Sequence, residues 1–291
     1  MHVTIFDLDW RRLAEPQPDG YDTDAILWLL ERHRPIEYAH TDRDVDEIDT
    51  FGPRLGVGTT AVRVDGKVLL PPPRYQPASG IPKGLLEAID LLGSWPEIAA
   101  QWPRIIRIIQ PFNDLNHQLL PAEKTARVSS SSHNDRRRFG VIGVTVDDAV
   151  GTARGIVHEM AHHKLRAMGV DNEAASRMIQ NSRRDLFFSP VVGRDRPMMA
   201  LLHALYAFVH VLQLDLLLLA QPWSAERLGS LRDLVARDAS RVEATASTIR
   251  GRAALDDSGA AFVGALIEWT DRLLSHDHTW LGPSASSSGF W

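Results

Sequence analysis

The residues best suited to chemistry in this chain are two histidines and a glutamate in the sequence His158-Glu159-Met160-Ala161-His162. On a helix, residues four positions apart lie on the same face, so both imidazoles can reach one metal ion at about 2.1 Å. Glu159 would lie at the side of that helix, where it can contact a metal-bound water without binding the metal. The pattern H-E-x-x-H therefore predicts a metal site with two histidine ligands.

The composition limits what kind of metal site this can be. The 291 residues include 12 His and no Cys, which excludes a thiol nucleophile, a disulfide, a Cys-ligated zinc and an iron–sulfur cluster. A metal must then be bound by imidazole and carboxylate groups. The net charge of −5 provides no basic field, so neither nucleic acid nor a membrane is expected as a partner. The N-terminal residues lack the pattern of a secretory signal, which favours a cytoplasmic location.

A catalytic metal normally has three protein ligands, and the sequence leaves the third one open. Position 168 is Met, where a metzincin-like protease would have a histidine, which excludes that class. Glu173 follows His162 by only eleven residues, which favours an ordinary place in the first turn of a helix. His203 and His210 share one stripe of an apolar helix, where a buried imidazole needs a partner. We expect His203 to be the third ligand, with His210 and Glu173 as alternatives.

Two long helices should carry these side chains. The first follows an apolar strand over 137–146 and should end near Gly169, a residue typical of a helix C-cap. The second covers 198–220 and is apolar enough to cross a bilayer. It contains Asp215, however, and a central Asp costs about 3 kcal/mol on insertion into a membrane. The segment is therefore predicted to be the core helix of a globular fold.

The remaining patterns predict an α+β protein that is predominantly helical, with a small N-terminal or central sheet packed on a helical core. The Asp65–Gly66 pair predicts a hairpin over 60–70, and a polar stretch over 121–135 predicts a mobile loop. Further helices are predicted over 23–33 (with Asp22 or Thr23 as N-cap), 83–92, 96–110, 173–181, 224–250 and 258–275. Three regions follow: a mixed α/β region over 1–120, which could be a peptide-binding scaffold, a helical metal-binding catalytic region over 121–280, and a disordered tail over 281–291.

Three stretches of the chain resemble a known family of peptide-modifying enzymes. They are FGVIGVT over 139–145, HEMAHH over 158–163 and GRDRPMMALLHALYAF over 193–208. They are similar to the H-E-x-x-H family from bacterial gene clusters for ribosomally synthesised, post-translationally modified peptides. The resemblance covers roughly 137–215, about a quarter of the chain. It implies an iron(II)- and 2-oxoglutarate-dependent oxygenase that hydroxylates a side-chain β-carbon in a precursor peptide.

The resemblance also implies roles for particular residues. His158, His162 and His203 would bind iron. Arg196 would bind the distal carboxylate of 2-oxoglutarate through a bidentate fork, with Arg194 as the alternative. Such a set of three imidazoles departs from the common facial triad of two histidines and one carboxylate.

Glu159 would have a different role in each of the two candidate functions. In an oxygenase it would orient a metal ligand or the substrate. In the alternative, a zinc-dependent metallopeptidase, Glu159 would be the general base that deprotonates a zinc-bound water.

Overall fold

The computed structural model describes residues 8–32, 54–57, 60–64, 74–115, 131–134, 138–170 and 177–275. Helices predominate in these ranges and are accompanied by a small mixed sheet, which confirms the predicted α+β class. The helices are α1 (Tyr21–Arg32), α2 (Lys83–Leu92), α3 (Pro96–Ile105), α4 (Ala149–Ala167), α5 (Met198–Leu218), α6 (Ala225–Arg252) and α7 (Asp257–Ser275).

Helix α4, which carries H-E-x-x-H, has well-defined ends. The side chain of Asp148 caps its first turn by accepting a hydrogen bond from the backbone N–H of Gly151 at 2.6 Å. Beyond its last residue, Gly169 adopts φ +86°, a conformation that glycine allows at little cost. The predicted order of strand, helix and terminal glycine is confirmed.

The main sheet is built from strands β1 (Arg54–Val57), β2 (Thr60–Val64), β3 (Tyr75–Pro77), β4 (Ile108–Asp114), β5 (Ser132–Asn134) and β6 (Val141–Thr145). The strand order is β1-β2-β4-β6-β5, with β3 paired to the end of β4. The β2–β4 and β4–β6 pairs are parallel, and β5 is an antiparallel edge strand beside β6. Because β5 and β6 both contact α4, the metal-motif helix lies directly over this edge of the sheet.

Helix α4 approaches the sheet closely at Gly155. A Cβ at this position would lie 3.2 Å from Ser132 Cβ and 3.2 Å from Val144 Cγ1. A larger residue would have to push the helix away from β5 and β6, so Gly155 sets the distance between them.

Helix α5 is the predicted core helix. It is the only helix in the described ranges that is long and apolar enough to cross a membrane, and 72% of its most apolar window is buried inside the fold. It packs between α4 and α6. A two-stranded hairpin of β7 (Leu186–Ser189) and β8 (Arg194–Pro197) directly precedes it and packs on it.

Helices α4 and α5 run antiparallel, as three side-chain contacts between them show. Arg154 contacts Asp215, the ring of His158 lies 5.3 Å from that of Phe208, and His162 contacts His203. Residue numbers rise along one helix as they fall along the other. This packing brings the predicted metal ligands of the two helices to one interface.

Several sequence predictions were wrong about local structure. The helix predicted over 96–110 ends at Ile105, and residues 108–114 form the central strand β4. The buried Ile108–Ile109 pair suits a strand that is covered on both faces better than one face of a helix. The polar stretch over 121–135 was predicted to be a loop, yet Ser132–Asn134 form β5. Hairpin β7–β8 was not predicted.

The start of α1 also differs from the prediction. The helix begins at Tyr21, so Asp22 and Thr23 lie within it and neither is the N-cap. Asp22 is buried and accepts a hydrogen bond from the ammonium group of Lys164 at 2.6 Å. A buried carboxylate is best satisfied by a buried cation, and that demand outweighs its capping preference.

Other predictions are met only in part or lie outside the described residues. Strand β2 within the predicted 60–70 hairpin pairs with β1 on one side and β4 on the other. Residues 177–181 are not helical, and Ile179 bridges to Leu255 instead. Residues 65–73, 171–176 and 281–291 lie outside the described ranges. The sheet contains strands from both the 1–120 and the 121–280 regions.

Candidate metal centre

The two motif histidines point at one position in space. His158 Nε2 and His162 Nε2 are 3.0 Å apart, and both residues are half-buried on the same face of α4. Two nitrogen ligands at about 2.1 Å from one metal ion, at right angles to each other, are themselves about 3.0 Å apart. The pair therefore has the spacing of two adjacent ligands in an octahedral site.

His203 contacts the other side of the His162 ring. Its Nδ1 lies 3.0 Å from His162 Nδ1, and its Nε2 lies 2.8 Å from the carbonyl oxygen of Val170. The residue is only 1% exposed. In this arrangement His203 supports the His162 ring rather than sharing the position at which the two Nε2 atoms meet.

The hydrogen bonds of the three rings determine which nitrogen of each ring carries the proton. The Val170 carbonyl can only accept, so His203 donates from Nε2 and, when neutral, accepts at Nδ1. His162 then donates from Nδ1 and has a lone pair on Nε2, which accepts from His158. This relay (His158, His162, His203 and the Val170 carbonyl) leaves the lone pair of His162 pointing at the candidate metal position.

Electrostatics keep the two motif rings neutral. Desolvation lowers the pKa of His158 below its ordinary value, and the opposing field of Glu159 only partly offsets this. The pKa of His162 lies well below its ordinary value, first because of desolvation and then because His158 and His203 lie close by. Neutral imidazole is the form that binds a metal, so these shifts favour metal binding at neutral pH.

Glu159 is directed at the sheet edge. The hydroxyl of Ser132 donates to its Oε1 at 2.8 Å, and the amide of Asn134 donates to its Oε2. Arg166 in turn donates to the Asn134 side-chain oxygen at 2.6 Å. Glu159 is 2% exposed, and both carboxylate oxygens accept hydrogen bonds from β5. This is a carboxylate fixed in place, with its charge balanced through Asn134 by Arg166.

The partners of Glu159 are residues that sequence reasoning missed. Arg166 lies four positions after His162, a spacing that places it on the same side of α4. Ser132 and Asn134 are two positions apart, so on a strand they share one face. That alternation was the available signal, but the surrounding polar residues made the segment read as a loop.

A cluster of buried charges lies one turn before His158. Arg154 donates to Asp215 on α5 and, at 2.6 Å, to Asp238 on α6. Both aspartates are fully buried, and Arg237 and Arg241 also pair with Asp238. Desolvation raises the pKa of Asp215 to about 6, whereas at Asp238 the combined effect of Arg154 and Arg237 outweighs burial and lowers the pKa. The cluster joins the three helices that form the core.

The predicted cosubstrate arginines lie at the opposite end of the α4–α5 interface. Arg194 and Arg196 are on β8, just before α5 begins at Met198. His203 is five residues further along, or about 7.5 Å along the helix axis. Arg194 is exposed and Arg196 is half-buried. The arginines whose charges act on the motif pair are others: Arg154 contributes to the lowered pKa of His158, and Arg166 contributes to the lowered pKa of His162.

The two alternative third ligands are not at the site. His210 is fully buried two turns beyond His203, where its Nδ1 donates to the Tyr206 carbonyl at 2.8 Å. Its ring packs against Trp269 and Trp95, away from His158. Glu173 lies outside the described residues.

The donor set fits a metal ion in part. His158 and His162 have the right atoms and spacing for two ligands of zinc or iron, and His158 would bind through Nε2 in the tautomer that carries its proton on Nδ1. Within the described ranges, no group of three or more His, Asp or Glu side chains converges on one point. As oriented in the structure, His203 does not complete a set of three. No protein-family model matches this chain, and a search of curated proteins finds no match either.

Proposed function

We propose that this protein is a cytoplasmic iron(II)- and 2-oxoglutarate-dependent oxygenase that hydroxylates a side-chain β-carbon of a ribosomally synthesised precursor peptide. The proposal rests on the three sequence stretches that resemble the peptide-modifying H-E-x-x-H family. It is supported by the 3.0 Å spacing of the two motif imidazoles on a half-buried face of α4. When bound, iron(II) and 2-oxoglutarate would supply the oxidising chemistry with O₂, one oxygen atom entering the peptide and the other the succinate that forms with loss of CO₂.

The chain's own residues would position the metal and keep water away from it. His158 and His162 would hold the metal, and His203 fixes the ring orientation and proton of His162 through their Nδ1 contact. Rotation of the His203 ring away from Val170 would be required for it to become the third ligand. The surrounding apolar side chains, such as Phe208 against the His158 ring, limit access of water to this position.

The single observation that favours an oxygenase over a zinc peptidase is the environment of Glu159. A general base must reach the metal-bound water with a free carboxylate oxygen. Both oxygens of Glu159 instead accept hydrogen bonds from β5, and the residue is 2% exposed. A role in holding α4 to the sheet edge agrees with this geometry. The zinc-dependent metallopeptidase remains the alternative, favoured by the motif itself.

The experiment is anaerobic reconstitution of the protein with iron(II), 2-oxoglutarate and the precursor peptide encoded beside its gene, followed by addition of O₂. We expect succinate and a peptide heavier by one oxygen atom. Glu159→Gln should retain hydroxylation, whereas a peptidase would lose its activity with the general base. His158→Ala should abolish either reaction. If zinc alone supports peptide cleavage and 2-oxoglutarate has no effect, the oxygenase proposal is wrong.

Two further variants separate the roles of the remaining residues. If His203 is the third ligand, His203→Ala abolishes metal loading. If it only orients His162, the metal affinity falls roughly 10–100-fold. Arg196→Ala should raise the concentration of 2-oxoglutarate required and leave metal binding intact. Arg194→Ala is the matched control on the same strand, and an effect there instead would move the cosubstrate role to Arg194.

A further inference from the structure

Three Lys or Arg side chains are buried among the described residues, and all three lie on α4: Arg154, Lys164 and Arg166. Two of them are paired directly with buried carboxylates. Arg154 pairs with the two aspartates of the charged cluster, and the ammonium group of Lys164 lies 2.6 Å from Asp22 Oδ2. A buried cation normally needs such a partner, because its removal from water is costly unless an anion lies beside it.

Arg166 is the exception among the three. It is only 4% exposed, yet no carboxylate of the described residues forms an ion pair with it. Its one side-chain hydrogen bond runs from Nη1 to the neutral amide oxygen of Asn134 at 2.6 Å. Glu159 contacts the other end of that amide, so its charge offsets that of Arg166 only at a distance. A guanidinium group has five N–H donors, and most of those of Arg166 are unused.

The unused donors of Arg166 border accessible space. Nε and Nη2 make no hydrogen bond to the described residues, and neither is among the enclosed polar atoms that lack a partner. A small anion can therefore reach them, whereas a side chain this enclosed offers no broad surface to another protein. The planar guanidinium fork matches a carboxylate in bidentate geometry.

Arg166 is aligned with the two motif histidines. His158, His162 and Arg166 follow one another at intervals of four residues, so they form one stripe along α4. Arg166 lies one turn beyond His162, about 6 Å further along the helix axis. Its charge contributes to the lowered pKa of His162, which places the guanidinium near that ring. A ligand at the candidate metal position would therefore have Arg166 beside it, toward the C-terminus of α4.

The position of Arg166 in the last turn of α4 does not account for its burial. A cation there interacts favourably with the partial negative charge of the helix C-terminus, but exposed cations do this equally well. Lys164, in the same turn, already provides a cation at this end. The burial of Arg166 beside the histidine stripe therefore calls for an anionic ligand.

We infer that Arg166 binds a carboxylate of a small ligand held at the candidate metal position. Under the proposed function, on which this identification rests, the ligand is 2-oxoglutarate and the group is its distal carboxylate. The two carboxylate carbons of extended 2-oxoglutarate are roughly 5 Å apart, which is comparable to one turn of α4. Arg166 is then a cosubstrate-binding residue in addition to Arg196, which the resemblance implies.

The test is isothermal titration calorimetry of the cobalt(II)-loaded, full-length protein with two ligands. One is 2-oxoglutarate, and the other is 2-oxopentanoate, which has a methyl group in place of the distal carboxylate. The wild-type protein should bind 2-oxoglutarate roughly tenfold or more tightly than 2-oxopentanoate. Arg166→Gln should remove this preference by weakening 2-oxoglutarate alone. Arg166→Lys keeps the charge but loses the bidentate geometry, so it should show a reduced preference.

The ratio of the two affinities separates ligand binding from a structural role, because a general distortion of the metal site would weaken both ligands alike. The matched control is Arg184→Gln, which changes an exposed arginine shortly before β7 and should keep the wild-type ratio. Circular dichroism checks that each variant is folded. If Arg166→Gln does not fold, Arg166→Lys decides, and an undiminished preference in that variant overturns the inference.

The remaining outcomes also decide. An unchanged ratio in Arg166→Gln, equal binding of both ligands by the wild-type protein, or no binding of 2-oxoglutarate overturns the inference. If Arg166 instead governs binding of a peptide with a free C-terminal carboxylate and not of its amide, the carboxylate comes from the peptide and the cosubstrate identification is wrong. A preference that depends on Arg166 without any peptide hydroxylation counts against the proposed function alone. Hydroxylation with an unchanged ratio in Arg166→Gln counts against the inference alone.

Discussion

Two polar clusters lie along the same pair of helices, one turn apart, and they are built in opposite ways. The charged cluster of Arg154, Asp215 and Asp238 is closed, with both aspartates fully buried and matched by arginine. The imidazole cluster is neutral and half-buried at the motif pair. The charged cluster is paired within the protein except at Asp215 Oδ1, which is buried with no hydrogen-bond partner among the described residues. In the imidazole cluster, the Nε2 atoms of two neutral rings meet at one position on the face of α4. The first arrangement serves the fold, and the second is what a metal ion requires.

The largest loss of stability should come from removing the arginine at the centre of the charged cluster. Arg154→Met leaves Asp215 and Asp238 buried with much less counter-charge, and the free energy of unfolding should fall by about 3–5 kcal/mol. Urea denaturation measures this change in the free energy of unfolding. The control is Arg250→Met, which removes an exposed ion pair with Asp271 and should cost less than about 1 kcal/mol. Similar losses in both variants would mean that the buried cluster is not what holds the helices.

The next effect concerns pH and one carboxylate of that cluster. Burial raises the pKa of Asp215 from 3.8 to about 6, so between these values the folded state binds more protons than the unfolded state. The contribution of Asp215 to the stability of the wild-type protein should therefore be lost as the pH rises from about 4 to 6. The loss approaches about 3 kcal/mol, at about 1.4 kcal/mol per pKa unit. Arg154, Asp238 and Arg237 are the charged groups that act on it.

Asp215→Asn removes this titration and leaves the histidines unchanged. The stability difference between variant and wild type should therefore shift in favour of the variant by up to about 3 kcal/mol from pH 4 to pH 7. Urea denaturation at each pH measures the difference, in which the histidine contributions cancel. A difference that stays constant with pH would contradict the raised pKa.

The imidazole cluster should respond to metal instead. At a metal concentration of 100 times Kd, cobalt(II) or anaerobic iron(II) should raise the free energy of unfolding by about 2.7 kcal/mol. His158→Ala and His162→Ala should lose this increment. His210→Ala is the control, because its ring is buried elsewhere on α5, and it should keep the increment although it destabilises the fold. Loss of the increment in the control would extend the metal site to His210.

The smallest effect is expected at Glu159, whose carboxylate is directed at strand β5. Ser132→Ala removes one of the two hydrogen bonds that β5 donates to this carboxylate, at an expected cost of about 1–2 kcal/mol in chemical denaturation. Ser131→Ala is the neighbouring control, because among the described residues only the backbone of Ser131 makes hydrogen bonds, with Thr145. Equal stability of the two variants would show that Asn134 alone holds Glu159.

The sequence predicts the elements whose signals are local. Helices α4, α5 and α6 are long and strongly patterned, and the i, i+4 spacing alone places the His158 and His162 rings side by side, as the structure has them. Strand β4 and hairpin β7–β8 were missed because short apolar runs do not distinguish strand from helix. Their identity depends on pairing with residues distant in the chain.

Contacts in the site that join two secondary-structure elements were harder to predict from the sequence. That His203 faces α4 follows from its apolar surroundings, but which of its nitrogens meets His162 depends on helix rotation and on the Val170 carbonyl. The partners of Glu159 lie 25–27 residues earlier on an edge strand. Neither relation has a signature in residue spacing.

The end point of the histidine relay has a consequence for the two motif rings. The Val170 carbonyl follows the C-terminus of α4, where the helix dipole places partial negative charge. It polarises His203, and His203 in turn draws on the Nδ1 proton of His162, which makes the Nε2 atom of His162 more electron-rich. The two rings are therefore inequivalent before any ion arrives. His162 would therefore be the stronger electron donor of the two rings toward a bound cation.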